Sequence, residues 1–252
     1  IQHYYFNKKP EQDPMFSILK KEFNSFFAST MAYLVIGVFL LINGLFLWIF
    51  KSDFNILNAG YSDLNSFFFL TPWFFLLLIP AITMKSFAEE IDKGTIELLK
   101  TKPISDWEII MGKFSASILL VVVALAPTFT YVFTVYQLGN PVGNIDFGST
   151  IGSYTGLFFL TATYTAIGLF TSSLAKSQIV AFISGVLITF SLYEGFDAIS
   201  TLIGNDLSLK KLGIKEHFKS ISRGVIDTRD IVYFISTITF FLYLTKIRLD
   251  NE

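Results

Sequence analysis

Six stretches of the chain, 31–50, 64–84, 114–138, 153–174, 177–193 and 231–245, are rich in Leu, Ile, Val and Phe and contain no Asp, Glu, Lys or Arg. A helix needs about 20 apolar residues to cross a bilayer, so the pattern predicts six transmembrane helices and an all-α, polytopic membrane protein. Ala175 and Lys176 alone separate the fourth and fifth stretches, which demands a tight turn at the membrane surface. The sixth is short for a bilayer and reaches across only if Asp230, Lys246 and Arg248 snorkel to the interfaces. Pro80 and Pro127 fall inside the second and third, where kinks are expected and neighbouring helices can satisfy the freed carbonyls.

The connecting segments are patterned too. Residues 1–14 are polar and proline-bearing, and read as a flexible tail or upstream extension outside a membrane domain of 15–252. From Met15 onward, Phe16, Leu19, Phe23, Phe26, Phe27 and Thr30 recur at helical spacing, with Lys20, Lys21, Glu22, Asn24 and Ser25 opposite. This describes an amphipathic helix lying in the membrane interface, or else an extension of the first span. The apolar run that follows is full length and ends in Leu-Trp-Ile-Phe without a small-residue cleavage site, which argues against a removed signal peptide. Within 194–230, Ile214, Phe218, Ile221 and Val225 form an apolar stripe with Lys215, Glu216, Lys219 and Arg223 facing away. A surface-lying or re-entrant helix and an ordinary solvated loop both fit that stripe.

The densest charge lies between the second and third spans. There Lys85, Lys93, Lys100, Lys102 and Lys113 mingle with Glu89, Glu90, Asp92, Glu97, Asp106 and Glu108. Gly94 is a natural helix terminator, and Thr95 follows as an N-cap with Glu97 in the first turn of a short helix over 96–102. Pro103 ends that helix, and Ser105 with Glu108 three residues on makes a capping box for a helix running into the third span. Ile96, Leu98 and Leu99 exceed what so short an element can bury, leaving apolar surface for a partner. The plainer alternative is a solvated connection.

Composition agrees with membrane placement: 52% of residues are hydrophobic, 17% aromatic and 15% charged, with mean hydropathy +0.57. A net charge of −1 says nothing about nucleic acid, and no basic block interleaved with aromatics suggests it. The chain has no cysteine and only His3 and His217, so no disulfide, thiolate nucleophile or metal cluster is expected. Gly112-Lys113 is not a phosphate loop, because Phe114 follows it and Trp107 stands where the first glycine would be. No H-E-x-x-H occurs, the first four spans hold no ionisable carboxylate, histidine or basic residue, and the fifth ends just before Glu194 and Asp197, which argues against a proton relay. Lys and Arg number 12 in the tail, second loop, fourth loop and C-terminus against 7 in the other loops, which places both termini in the cytoplasm. In the fourth span Gly152, Gly156, Tyr154 and Tyr164 are read as close-packing positions.

The run Glu89-Glu90, Gly94-Thr95, Glu97, Leu98-Leu99, Pro103-Ile104-Ser105 and Gly112-Lys113 resembles the E-x3-G-T-x-E-L-L-x3-P-[IV]-S…G-K element of ABC-2 type transporter permeases. FSILKKEFNSFFAS, AYLVIGVFLLINGLFLW, LNSFFFLTPWFF, QLGNPVG, DFGSTIGSYTGL and HFKSISRGVIDTRDIVYF further resemble the gliding-motility-associated permease of that group. The resemblance implies an N-terminal elbow helix bearing Phe16, Leu19, Lys20, Lys21, Glu22 and Phe23. It also implies a cytoplasmic coupling helix in 85–113, where Glu89, Glu90, Gly94, Thr95, Glu97, Leu98, Leu99 and Pro103 meet a separate ATP-binding subunit. At least one of Glu90 and Glu97 is expected to pair with a basic residue there. ATP and Mg would sit on that partner, and this chain would carry no cofactor. A second permease copy or an auxiliary membrane subunit would complete the path, in a bacterial inner membrane. The sequence names no substrate-binding residue, and a non-transporting scaffold or channel subunit of a motility or secretion machine is the alternative.

Overall fold

The computed structural model describes residues 13–101, 103–204 and 207–251, so the expected tail lies almost wholly outside the described residues. Among these residues every regular element is a helix, and six helices are long and apolar enough to cross a membrane. Helix α1 (Pro14–Ala28) opens with Pro14, where its missing N–H costs nothing, and Asp13 accepts from Met15 N at 3.2 Å as the N-cap. Helix α2 (Met31–Gly44) ends in a π turn, Leu45–Ile49. Helix α3 (Asn65–Thr83) tolerates both Pro72 and Pro80. The short α4 (Ala88–Asp92) and α5 (Thr95–Lys100) lead to α6 (Asp106–Leu125).

At Pro127 the third span passes through a single 3-10 turn, Ala126–Thr128, into α7 (Phe129–Leu138). The capping box begins this helix at Asp106, as its residues predict, ahead of the uncharged stretch from 114. Helix α8 (Phe147–Leu174) likewise starts earlier than 153, with Asp146 accepting from Ser149 N at 3.0 Å. After the turn at Ala175 and Lys176, α9 (Gln178–Phe190) does not stop at Tyr193; it continues through a π turn, Ser191–Gly195, into α10 (Phe196–Leu202). Helices α11 (Leu207–Lys210) and α12 (Ile214–Ser222) precede α13 (Thr228–Asp250). With 23 residues, α13 is long enough to cross, since its helix continues through charged ends that an uncharged window leaves out.

Helix α8 is the column of the fold and packs against α3, α6, α9, α12 and α13. Lipid tails give no hydrophobic drive for helices to associate, so close van der Waals approach between small residues must serve. A Cβ on Gly168 would stand 2.1 Å from Thr83 Oγ1, and one on Gly152 would stand 2.4 Å from the carbonyl of Ile221. Hydroxyls in the spans bond to their own helices: Thr71 donates to Phe67 O at 2.7 Å, Thr189 to Gly185 O at 2.7 Å and Thr245 to Phe241 O at 2.9 Å. In α12 the stripe Ile214, Phe218 and Ile221 is buried, the last two against Gly156 of α8, but Val225 is exposed, because the helix stops at Ser222 before a left-handed Gly224. Leu34 and Leu41 of α2, Ile179 and Leu187 of α9, and Val232 and Tyr243 of α13 face outward, as lipid-facing apolar residues do.

Gly152→Val therefore overpacks the α8–α12 contact and should destabilise by about 1–3 kcal/mol. Gly37→Ala, with nothing within 4 Å of the added carbon, should leave stability unchanged or slightly raised. Heating the detergent-solubilised variants and reading the monodisperse fraction by size exclusion compares the two.

Candidate functional site

The charged segment after α3 is built around one lysine. The capping box is present: Ser105 Oγ accepts from Glu108 N at 3.3 Å, and Glu108 Oε2 accepts from Ser105 N at 2.7 Å. Two turns into α6 comes Gly112, whose missing side chain lets α1 lie directly against it; a Cβ there would meet Ile18 at 2.7 Å. Lys113 follows and is 2% exposed. Its Nζ donates to Ser86 O at 2.7 Å, to Glu90 Oε1 at 2.9 Å and to Glu22 Oε1 at 3.1 Å, with the Phe87 ring 5.1 Å away. An ammonium has three protons, and all three are used. The acceptors come from α1, from the turn after α3, and from α4.

Ser172 of α8 fixes that turn from the other side. The chain unwinds after Thr83, and Ser172 Oγ accepts from Phe87 N at 3.0 Å and Ala88 N at 3.1 Å while donating to Met84 O at 2.9 Å. A side chain on another helix thus satisfies N–H groups that α4 leaves open at its start. Gly94 ends α4 in the left-handed region, at φ +64°. Glu89 pairs with Lys93 one turn on and holds that exposed ammonium above its ordinary range.

Several expectations change here. Thr95 is the first residue of α5 and its hydroxyl donates to Glu90 O at 3.3 Å, so the short helix is Thr95–Lys100 rather than 96–102. Ile96 is buried, Glu97 and Pro103 are exposed, and the side chains of Leu98 and Leu99 lie outside the described residues. Glu90 spends one carboxylate oxygen on Lys113, which leaves Glu97 as the freer carboxylate. In α1, Glu22 does not join Lys20 and Lys21 on the outer face. The face toward α6 is Ile18, Glu22 and Phe26, spaced by four, because Lys113 receives the carboxylate; Phe16 is exposed, and Leu19 and Phe23 are partly buried.

A cleft of about 390 Å³ opens between α1 and α4, lined by Lys21, Phe26, Lys85, Glu89 and Glu90 among others. A second, of about 350 Å³, lies between α4 and the start of α9, beside Asp92 and Lys176. Between them α4 forms a charged ridge that leads into α5. Sequence reasoning left Lys113 as one letter of a motif and missed Ser172 altogether. A lone lysine heading a long uncharged stretch was the available signal for the first; a serine within an apolar span gave none for the second.

Six helices long and apolar enough to cross a membrane, with a charged segment tied to two of them, define a polytopic membrane protein. Residues 16–246 match the ABC-2 family transporter proteins, and the chain belongs to that family: it is a permease subunit of an ABC transporter, not itself the ATPase. No curated protein matches the chain.

Replacing Lys113 by Met leaves Glu22 and Glu90 with exposed Lys21, 3.5 and 3.9 Å away, as their remaining cation at the edge of the cleft, and should cost at most about 3 kcal/mol. Adding Glu90→Gln to Lys113→Met should recover part of that loss. Thermal midpoints of the purified single and double variants test the order.

Proposed function

We propose that a separate ATP-binding subunit docks on the α4–α5 ridge and its flanking clefts, with α1 acting as the elbow helix beside it. ATP and Mg bind and react on that partner, and this chain binds neither. The observation that carries the proposal is the way the ridge is fastened. Lys113 joins it to α1 and to the head of the third span, and Ser172 joins it to the foot of the fourth. A push on the ridge therefore reaches two membrane helices through short hydrogen bonds rather than through a slack loop. Closure of the partner on ATP would tilt those helices together and move the path between inward and outward states.

On this reading the termini and the 85–113 segment face the cytoplasm of a bacterial inner membrane, as the distribution of Lys and Arg supports. A second copy, or an auxiliary membrane subunit, supplies the other half of the path. The resemblance of the elbow, second-span and 217–234 segments to gliding-motility permeases supports a role in surface gliding. Deleting the gene in a gliding host, with unchanged levels of other surface-motility proteins, should then abolish spreading; unaltered spreading would remove the gliding assignment and leave the permease standing.

Two measurements test the docking. Gly94→Val adds a side chain into open space, so its effect is conformational: valine opposes the left-handed turn by about 1–2 kcal/mol and misaims α5. Membrane yield should hold while copurification of the cognate ATPase falls severalfold, and Glu97→Lys should weaken docking in a salt-dependent way. Normal assembly and activity in both variants would refute the assignment. For orientation, a cysteine at exposed Asp92 should escape a membrane-impermeant thiol reagent applied to intact cells, and one at exposed Asn58 should react.

A further inference from the structure

The end of the bundle away from the Lys113 joint is closed by α12, which lies on Gly152 and Gly156 of α8. Its C-terminal end is fastened by Ser149 Oγ, which donates to Ser222 O at 2.8 Å. Nearer its start, His217 stacks on the ring of Tyr233 of α13, with centroids 3.8 Å apart. His217 Nδ1 lies 2.7 Å from Asp230 Oδ1, and Nε2 lies 2.7 Å from the backbone carbonyl of Lys211.

Both nitrogens thus face acceptors. A neutral imidazole has one N–H, and a carbonyl oxygen can only accept. The two hydrogen bonds coexist only when His217 and Asp230 together hold one proton more than a neutral imidazole and a carboxylate, whichever of them carries it. Without that proton a lone pair meets a lone pair across 2.7 Å. Asp230 is 5% exposed and its Oδ2 has no partner among the described residues, so none of these takes over the lost bond.

We propose that the His217–Asp230 pair is a proton-operated latch that holds the start of α12 and the 211–213 turn onto α13, and releases them when the shared proton leaves as pH rises. The other charged groups around it do not duplicate this role. From the α9–α10 turn, Glu194 and Asp197 are committed to Lys215, at 2.7 and 3.2 Å, and Asp197 also to Lys210 at 3.3 Å. The Lys215 ammonium loses by burial but gains more from those carboxylates, and is held above its usual range. Glu216 and Lys219 share α12 with the histidine; Lys211 offers its carbonyl; Asp227 and Arg229 are exposed at the start of α13, whose Tyr233 supplies the stacked ring and donates to Leu212 O at 2.7 Å. From α8 the groups meeting α12 are glycines and the hydroxyls of Ser149 and Ser153, which carry no charge. Of all these, an imidazole is the group whose charge ordinarily changes between about pH 5 and 8.

The absence of cysteine makes the test direct. Ile214 is fully buried beside the latch and Leu202 is 86% exposed. Single cysteines at Ile214 and at Leu202 are compared in the full-length chain in nanodiscs. The reaction rate of the first with a methanethiosulfonate reagent, divided by that of the second, cancels the pH dependence of thiol chemistry. From about pH 5 to about pH 8 the ratio should rise at least tenfold. Adding Asp230→Asn should flatten it at the low value, because the amide N–H can donate to Nδ1 while neutral His217 donates to Lys211 O. Adding His217→Phe should flatten it at the high value. A flat ratio in the parent, or an Asp230→Asn variant as steep as the parent, would overturn the latch; should the phenylalanine variant fail to fold, those two comparisons decide.

Discussion

Burying the ammonium of Lys113 at the edge of the bilayer is the constraint around which one end of this protein is organised. Removing a charge from water costs several kcal/mol unless every proton finds an acceptor in good geometry. Here the acceptors are Glu22, Glu90 and the carbonyl of Ser86, from three segments that are distant in sequence and must all be in place together. That requirement accounts for features that otherwise look unrelated. Helix α1 lies along α6 rather than floating in the interface, the chain unwinds after Thr83 to present a carbonyl, and α4 turns Glu90 inward. Gly112 follows from the same need, since a side chain there would hold α1 too far away for Glu22 to reach.

The lysine alone would fix the ridge to α1 and α6 and leave it free to swing against the rest of the bundle. Ser172 removes that freedom by gripping both sides of the break between α3 and α4. Because α8 is continuous from Phe147 to Leu174, about 40 Å at 1.5 Å per residue, the same rigid helix carries Ser172 at one end and the seat of α12 at the other. Mechanical continuity across the membrane therefore needs no chain of rearranging side chains. It needs one stiff column with a specific contact at each end.

Much of this was legible in the sequence, for physical reasons that also explain what was not. The six spans follow from the cost of charge in hydrocarbon, which leaves uncharged windows that any reader can mark. The windows mark less than the full helices, because a helix continues past the last uncharged residue: α13 runs through Asp230 and Arg248, and α6 starts eight residues before Phe114, at the capping box its residues predict. Local signals such as the Ser105–Glu108 box and the Gly94 turn were readable because their partners lie within a few residues. Periodicity placed Ile214, Phe218 and Ile221 correctly and failed at Val225, where Gly224 breaks the helix. It failed again at Glu22, because a polar residue on a buried stripe looks like an error until its cation, ninety-one residues later, is known. Ser172 and the His217–Lys211 contact were beyond reach for a related reason: their acceptors or donors are backbone groups, and backbone carries no sequence signature.

The two ends of α8 are fastened by different chemistry, and the difference bears on how each can behave. At the ridge, one ammonium donates three hydrogen bonds to acceptors that need no proton of their own, so the joint is complete with every group in its common charge state. Under α12, the histidine stands between two acceptors, and its bonds require a proton that neutral imidazole and carboxylate together do not have. The first arrangement suits a part that must transmit motion without changing. The second suits a part whose hold on the bundle depends on its surroundings. On the docking and the latch proposed above, the fixed Lys113 joint stands where force would enter and the releasable closure at the far end of α8.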